Sequence, residues 1–137
     1  MPDPITGAGF DAPSPEVAYM GAPDMAVEAA ELVGLQDRLR AQTEQRVAEG
    51  RQTDEYDEYD EHQARLYLLR RAALADRLSL DHPGNGEFLT EAAQLAHQLA
   101  KFDQEHDTHV GPIGPGAIEW DPSHRPYVRQ EYDHWGW

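Results

Sequence analysis

Residues 24–50 read DMAVEAAELVGLQDRLRAQTEQRVAEG, and their spacing decides the fold class. Met25, Ala29, Leu32, Leu35, Leu39 and Val47 recur at three- and four-residue steps, with one gap near Thr43. That spacing draws a single apolar stripe along a helix. Asp24 offers a carboxylate to the free amides of the first turn, and Gly50 is a natural stop at the other end. Gly34 sits mid-helix, where it costs about 1 kcal/mol relative to Ala and leaves room for a close neighbour.

Working outward, proline placement divides the chain. Five prolines fall in 1–23 (Pro2, Pro4, Pro13, Pro15, Pro23) and four in 112–126 (Pro112, Pro115, Pro122, Pro126), with none between Asp24 and His82. Proline removes an amide donor and blocks helix interiors, so the middle of the chain is free to be helical. A second helix is predicted from about Thr53 to Leu80, with Tyr59, Leu66, Leu69 and Ala73 in one row and Tyr67, Leu74 and Leu78 in the next. The run Asp81-His82-Pro83-Gly84-Asn85-Gly86 breaks it. A third helix, roughly Glu87 to Glu105, carries a broad apolar face of Phe88, Leu89, Ala92, Leu95, Ala96, Leu99 and Phe102. No stretch of 4–8 residues alternates like a strand. The expectation is an all-α protein: a helical hairpin or three-helix bundle over 24–107, a Pro/Gly-rich N-terminal arm at 1–23, and a long extended C-terminal tail at 108–137.

Composition narrows the function. The 137 residues carry 26 acids against 11 bases, for a net charge of −15, and no cysteine. Disulfides, thiolate metal sites and cysteine nucleophiles are therefore excluded. Twelve Leu, six Val, three Ile and three Phe make about 18% of the chain, which is low for a globular protein of high net charge. The core must be modest, and stability is expected to lean on a partner or on self-association. No stretch approaches the roughly 18 apolar residues that cross a bilayer. The opening MPDPITGAGF lacks the basic start and apolar run of a signal peptide, so a cytoplasmic protein is expected. Strong acidity argues against direct nucleic-acid binding, because phosphate repels carboxylate.

The acidic run is Asp54, Glu55, Asp57, Glu58, Asp60 and Glu61. Asp54, Asp57, Glu58 and Glu61 share one helical face. It reads either as a solvated face that favours the helix start or as a docking surface for a basic protein. A special case is an inhibitor whose carboxylates imitate the phosphates of nucleic acid. Arg65, Arg70, Arg71 and Arg77 follow on the same helix, and Arg38, Arg40 and Arg46 interrupt the first, which weighs against a uniformly acidic mimic. Locally, Glu61 and Arg65 form a favourable i, i+4 pair.

Histidines offer a third alternative, a carboxylate–imidazole metal protein using Glu58, His62, His97, Asp103, His106 or His109. The Glu-x-x-His pattern of bundle diiron sites is missing, and neither metal nor cofactor is expected. No phosphate-cradling glycine loop and no Gly-x-Ser-x-Gly elbow occurs, so the chain is not expected to be an enzyme.

The tail GPIGPGAIEWDPSHRPYVRQEYDHWGW holds all three tryptophans. An isolated tail cannot bury its own rings, and exposed indoles invite association. The tail either wraps over the helices or enters grooves on another molecule. Trp120, Arg125, Tyr127, Arg129, Tyr132, Trp135 and Trp137 are of the types that dominate interfaces. The function expected is that of a small acidic, non-catalytic accessory, regulatory or assembly subunit. It would dock on a basic or grooved protein surface through this tail and the face Asp54, Asp57, Glu58 and Glu61. Homo-oligomers are possible; membrane contact is not expected.

Overall fold

A computed structural model describes residues 13–50 and 58–135 of the chain, without the side chains of residues 58–60 and 119. In chain order the elements are α1 (Pro15–Ala18), α2 (Met25–Ala48), α3 (Glu58–Asp81), α4 (Gly86–His106), a 3-10 turn (Ile118–Trp120) and α5 (Arg125–Trp135). Among the described residues every element is helical.

Local chemistry explains the ends. The Asp24 carboxylate accepts from the Ala26 and Val27 amides, and Gly50, with φ of +78°, follows the last turn of α2. The Asn85 side chain accepts from the Glu87 and Phe88 amides and starts α4 straight after the His82–Gly84 turn. Asp107, in the left-handed region at φ 53°, ends it. At α5, Ser123 Oγ accepts from the Arg125 amide at 3.3 Å, and Pro126 occupies the second helical position, where its missing amide has no intrahelical partner to lose.

The packing is organised around α3, which touches α2, α4 and α5. One face of α3 (Leu69, Ala72, Ala73) meets Ala92, Leu95, Ala96 and Leu99 of α4. The alanines bring these helices close, and Trp120, Tyr127, Val128 and Tyr132 fill the space beside them. By contrast, α2 rests mainly on α3 and buries only Leu32 and Leu35 among its apolar side chains.

Two expectations for the ends of the chain change. The extended path expected over 108–137 does not hold for residues 125–135, which are helical, with every residue from Arg125 to Tyr132 buried. The rings of this segment find their cover on α3, α4 and α1, and a helix is the form in which a buried backbone satisfies its own hydrogen bonds. In the arm, residues 1–12 lie outside the described residues, but residues 15–18 are helical and α1 packs on α5. Gly111 is needed where it is: its amide donates to Glu131 at 2.7 Å, and a Cβ there would overlap the Gln130 side chain.

Candidate functional site

The chemistry-bearing side chains of this fold gather in two buried ionic clusters. On α3, Asp76 is fully buried and accepts from Arg125 Nε at 2.6 Å, Arg129 Nε at 2.8 Å, Arg129 Nη2 at 3.0 Å and the Tyr19 hydroxyl at 2.6 Å. Ser79 Oγ takes the second Arg125 nitrogen at 2.6 Å. On α4, Asp103 accepts from Arg65 Nε at 2.7 Å, Arg65 Nη2 at 3.0 Å, Thr108 Oγ1 at 2.7 Å and the Tyr127 hydroxyl. Arg65 also reaches Glu131 at 2.7 Å, whose carboxylate takes the amides of Val110 and Gly111. A third group sits nearer the rim, where Arg70 donates to both Glu28 and Glu31.

The electrostatics follow from burial and pairing. Burial opposes the charge on Arg65 and Arg129, yet the carboxylates of Asp103 and Asp76 outweigh it and both guanidiniums are held more firmly protonated than usual. Burial, then Asp103, pushes the Tyr127 hydroxyl upward; burial and Asp76 do the same to Tyr19. Both phenols are therefore locked as donors. Asp76, Asp103 and Glu131 face guanidiniums, hydroxyls and amides rather than open space. Such clusters fix geometry; they have no lone pair free to take a substrate proton.

These contacts settle where the expected site residues stand. Trp120, Tyr127, Arg129 and Tyr132 are at most 1% exposed, and Arg125 only 3%. Trp120 Nε1 donates to the Gly114 carbonyl, and Trp135, half-buried, meets the Tyr132 ring edge-on at 5.6 Å. Trp137, Asp54 and Asp57 lie outside the described residues, as does the Glu58 side chain. The helical start of α3 carries Glu61, whose carboxylate lies 3.9 Å from His106. The local Glu61–Arg65 pair gives way to the long-range one, because Arg65 is buried and turned to Asp103 and Glu131. Among the described residues the candidate metal ligands do not converge. Asp103 is taken up by Arg65, His97 stacks on His124, and His106 stacks on Phe102. No group of three or more potential ligands forms among the described residues.

No family model, curated protein or solved structure matches this chain. Its function has to be argued from its own surface.

Sequence reasoning did not single out Asp76 or Glu131, which organise the interior. Their guanidinium partners lie 49 to 66 positions away, so no local spacing marks those pairs. It also passed over the pairing of His97 on α4 with His124 just before α5. Their rings are 4.2 Å apart and the His124 side chain is 13% exposed. Burial, then the neighbouring His97, lowers the His124 pKa, with Asp121 at 3.9 Å opposing. The unfolded chain thus takes up this proton first. The stability tied to His124 is complete above the ordinary imidazole value of about 6.5 and declines as the pH falls below it. Urea midpoints measured between about pH 7 and 5 should therefore fall toward acid, and His124→Asn should flatten part of that slope. Asn suits the test because it tolerates the φ of 59° found here. An unchanged slope in His124→Asn would remove the histidine pair from the account.

Proposed function

We propose that this chain is a small acidic, non-catalytic interaction protein that docks on a basic surface of a partner protein through the acidic start of α3. One observation carries this reading: Arg65, the arginine that follows the acidic run by one helical turn, is withdrawn from the surface, although Arg38, Arg40 and Arg71 stay exposed. Arg65, Arg125 and Arg129 are buried in ion pairs, and Arg70 is bound to Glu28 and Glu31. The guanidinium nearest the acidic run is therefore turned away from it, toward Asp103 and Glu131. Glu58 and Glu61 open α3 with Asp54 and Asp57 just before them in sequence. A dense carboxylate face of this kind steers encounter with a cationic surface and loses its pull as salt rises. Trp120, Arg125, Tyr127, Arg129 and Tyr132 are buried within the fold and Trp135 is half-buried, so the acidic start of α3 takes the larger part in this reading.

The inward turn of Arg65 also supports a second reading, a nucleic-acid mimic, against which the exposed Arg38, Arg40 and Arg71 still weigh. Affinity capture on the immobilised protein tests both. A specific partner should be retained at low salt, released by about 0.5 M salt, where the Debye length shrinks to about 4–5 Å, and lost with the variant D54N/D57N/E58Q/E61Q. Equal retention by that variant overturns the docking face. Displacement by duplex DNA selects the mimic; retention in its presence selects a protein-specific contact.

A further inference from the structure

We propose that His97 on α4 and His124 at the entry of α5 form an acid-opened latch. At neutral pH the pair keeps residues 114–124 closed as a flap with Trp120 buried beneath it, and mild acid releases the flap while α3, α4 and α5 stay folded. The flap is a self-contained piece of chain. The Ala117 amide donates to Gly114, the Trp120 amide to Ala117, the Asp121 amide to Ile118 and the His124 amide to Trp120, so these bonds travel with it. The Trp120 indole also bonds inside it, to the Gly114 carbonyl at 2.7 Å. Both ends are fastened to α5: the Gln130 side chain bonds the Ile113 main chain, and the His124 carbonyl accepts from the Tyr127 amide at 3.1 Å. Between those ends, the Trp120 ring enters the core that holds Ala96 and Leu99 of α4, and the two histidine rings meet.

The closed form resists a proton on His124. Its ring lies 4.2 Å from that of His97, centroid to centroid. His97 Nδ1 donates to the Ala93 carbonyl at 2.7 Å, which fixes that ring on α4. The His124 Nδ1 is buried with no hydrogen-bond partner among the described residues. An imidazolium carries a proton on both nitrogens. Charging His124 in place therefore puts a donor where nothing accepts it, a cost that opening to water removes. His124 also stands just before the first turn of α5, the positive end of that helix. Among the charged groups around the pair, Asp121 lies 3.9 Å from His124 Nδ1, too far to bond it. Arg125, next in the chain, is turned away to Asp76 and Ser79 on α3. Lys101, one turn along α4 from His97, is 75% exposed and lies 4.0 Å from Glu105. Asp121 and the Pro122 carbonyl favour the charge, and burial and His97 outweigh them.

The open flap has no such penalty, and its His124 titrates near the ordinary imidazole value of about 6.5. Protons therefore go to the open form first, and opening grows as the pH falls through that value, by up to about thirty-fold at pH 5 for one proton. The rest of the interior is anchored independently of the pair. Tyr127, which meets the Trp120 ring edge-on at 5.6 Å, keeps its hydroxyl on Asp103 of α4, and Arg125 and Arg129 hold α5 to Asp76. Opening thus brings a single indole to the surface, a ring of the kind that anchors partners. The latch does not depend on the acidic docking face proposed above, which lies on α3.

Hydrogen exchange followed by NMR on the full chain tests the latch, with the Trp120 indole proton reporting on the flap and the Leu99 amide on α4. Between about pH 7 and 5 the protection of the indole proton, corrected for its intrinsic exchange rate, should fall at least about tenfold. At the lower pH it should lie well below that of Leu99, because the flap opens without unfolding the helices. His97→Gln, at an exposed site, should shrink the fall, and His124→Asn should abolish it. Protection of Trp120 that does not fall overturns the latch, as does protection that equals that of Leu99 at both pH values, the mark of global unfolding alone. An undiminished fall in either variant overturns it as well.

Discussion

Asp76→Ala is expected to remove the cooperative unfolding transition of this protein. The residue is fully buried and binds two guanidiniums at once, with the Arg125 and Arg129 side chains only 4% and 0% exposed. Deleting the carboxylate leaves two cations and the Tyr19 hydroxyl without their acceptor in a site that water does not reach. Breaking one buried pair by removing one partner costs about 3–5 kcal/mol, because the surviving charge has already been desolvated. Here one deletion strands two charges. The whole stability of a small protein is about 5–15 kcal/mol, and this one has a thin apolar core. Asp76→Asn separates charge from shape: it keeps an acceptor oxygen and similar volume, so it should lose less. Urea titration followed by circular dichroism and tryptophan fluorescence reads both variants. An Asp76→Ala protein that unfolds cooperatively, within about 1 kcal/mol of wild type, would show that the guanidiniums find other acceptors.

The same cluster shows which parts of the structure were legible in the sequence. α2 and α4 were legible because their buried faces are apolar and recur with the helical period, and α2 also because Asp24 caps it through neighbours two and three residues away. α5 was not, for a physical reason. Its buried positions include Arg125, Arg129, Gln130 and Glu131, which a reading based on hydrophobic spacing assigns to solvent. Their partners are Asp76, Ser79 and Arg65 on α3, far away in sequence, and for Gln130 the main chain of Ile113. Arg65 is the reverse case. A plausible partner stood one turn away at Glu61, yet the side chain is turned inward to Asp103 and Glu131, where both bonds are shielded from water. The second row on α3 was visible as spacing, but spacing alone does not say whether such a row meets another helix of the same chain or an open groove. The candidate site divides similarly. The demand of the C-terminal rings for cover was legible; whether the covering surface belongs to this chain or another was not.

Removing residues 111–137 should therefore unfold the remaining helices rather than merely release a binding tail. The deletion strips Trp120, Tyr127, Val128 and Tyr132 from the core, each at most 1% exposed. Burial of each such side chain contributes about 1.5–3 kcal/mol, so together they approach the entire stability of a protein this size. It also bares Leu69, Ala72, Ala96 and Leu99, and it leaves Asp76 without its arginines and Arg65 without Glu131. The shortened chain should lose its cooperative melt, keep part of its helical signal and bind a hydrophobic dye that the full chain excludes. A synthetic peptide of residues 111–137 provides the decisive arm. If the tail is an interior element, adding it should restore the transition, because Gly111, Trp120 and α5 carry their partners with them into the gap. If the truncated protein instead melts at the same temperature and with the same helicity as the full chain, then the C-terminal rings are not what holds α3 and α4 together, and their role has to be sought on another molecule.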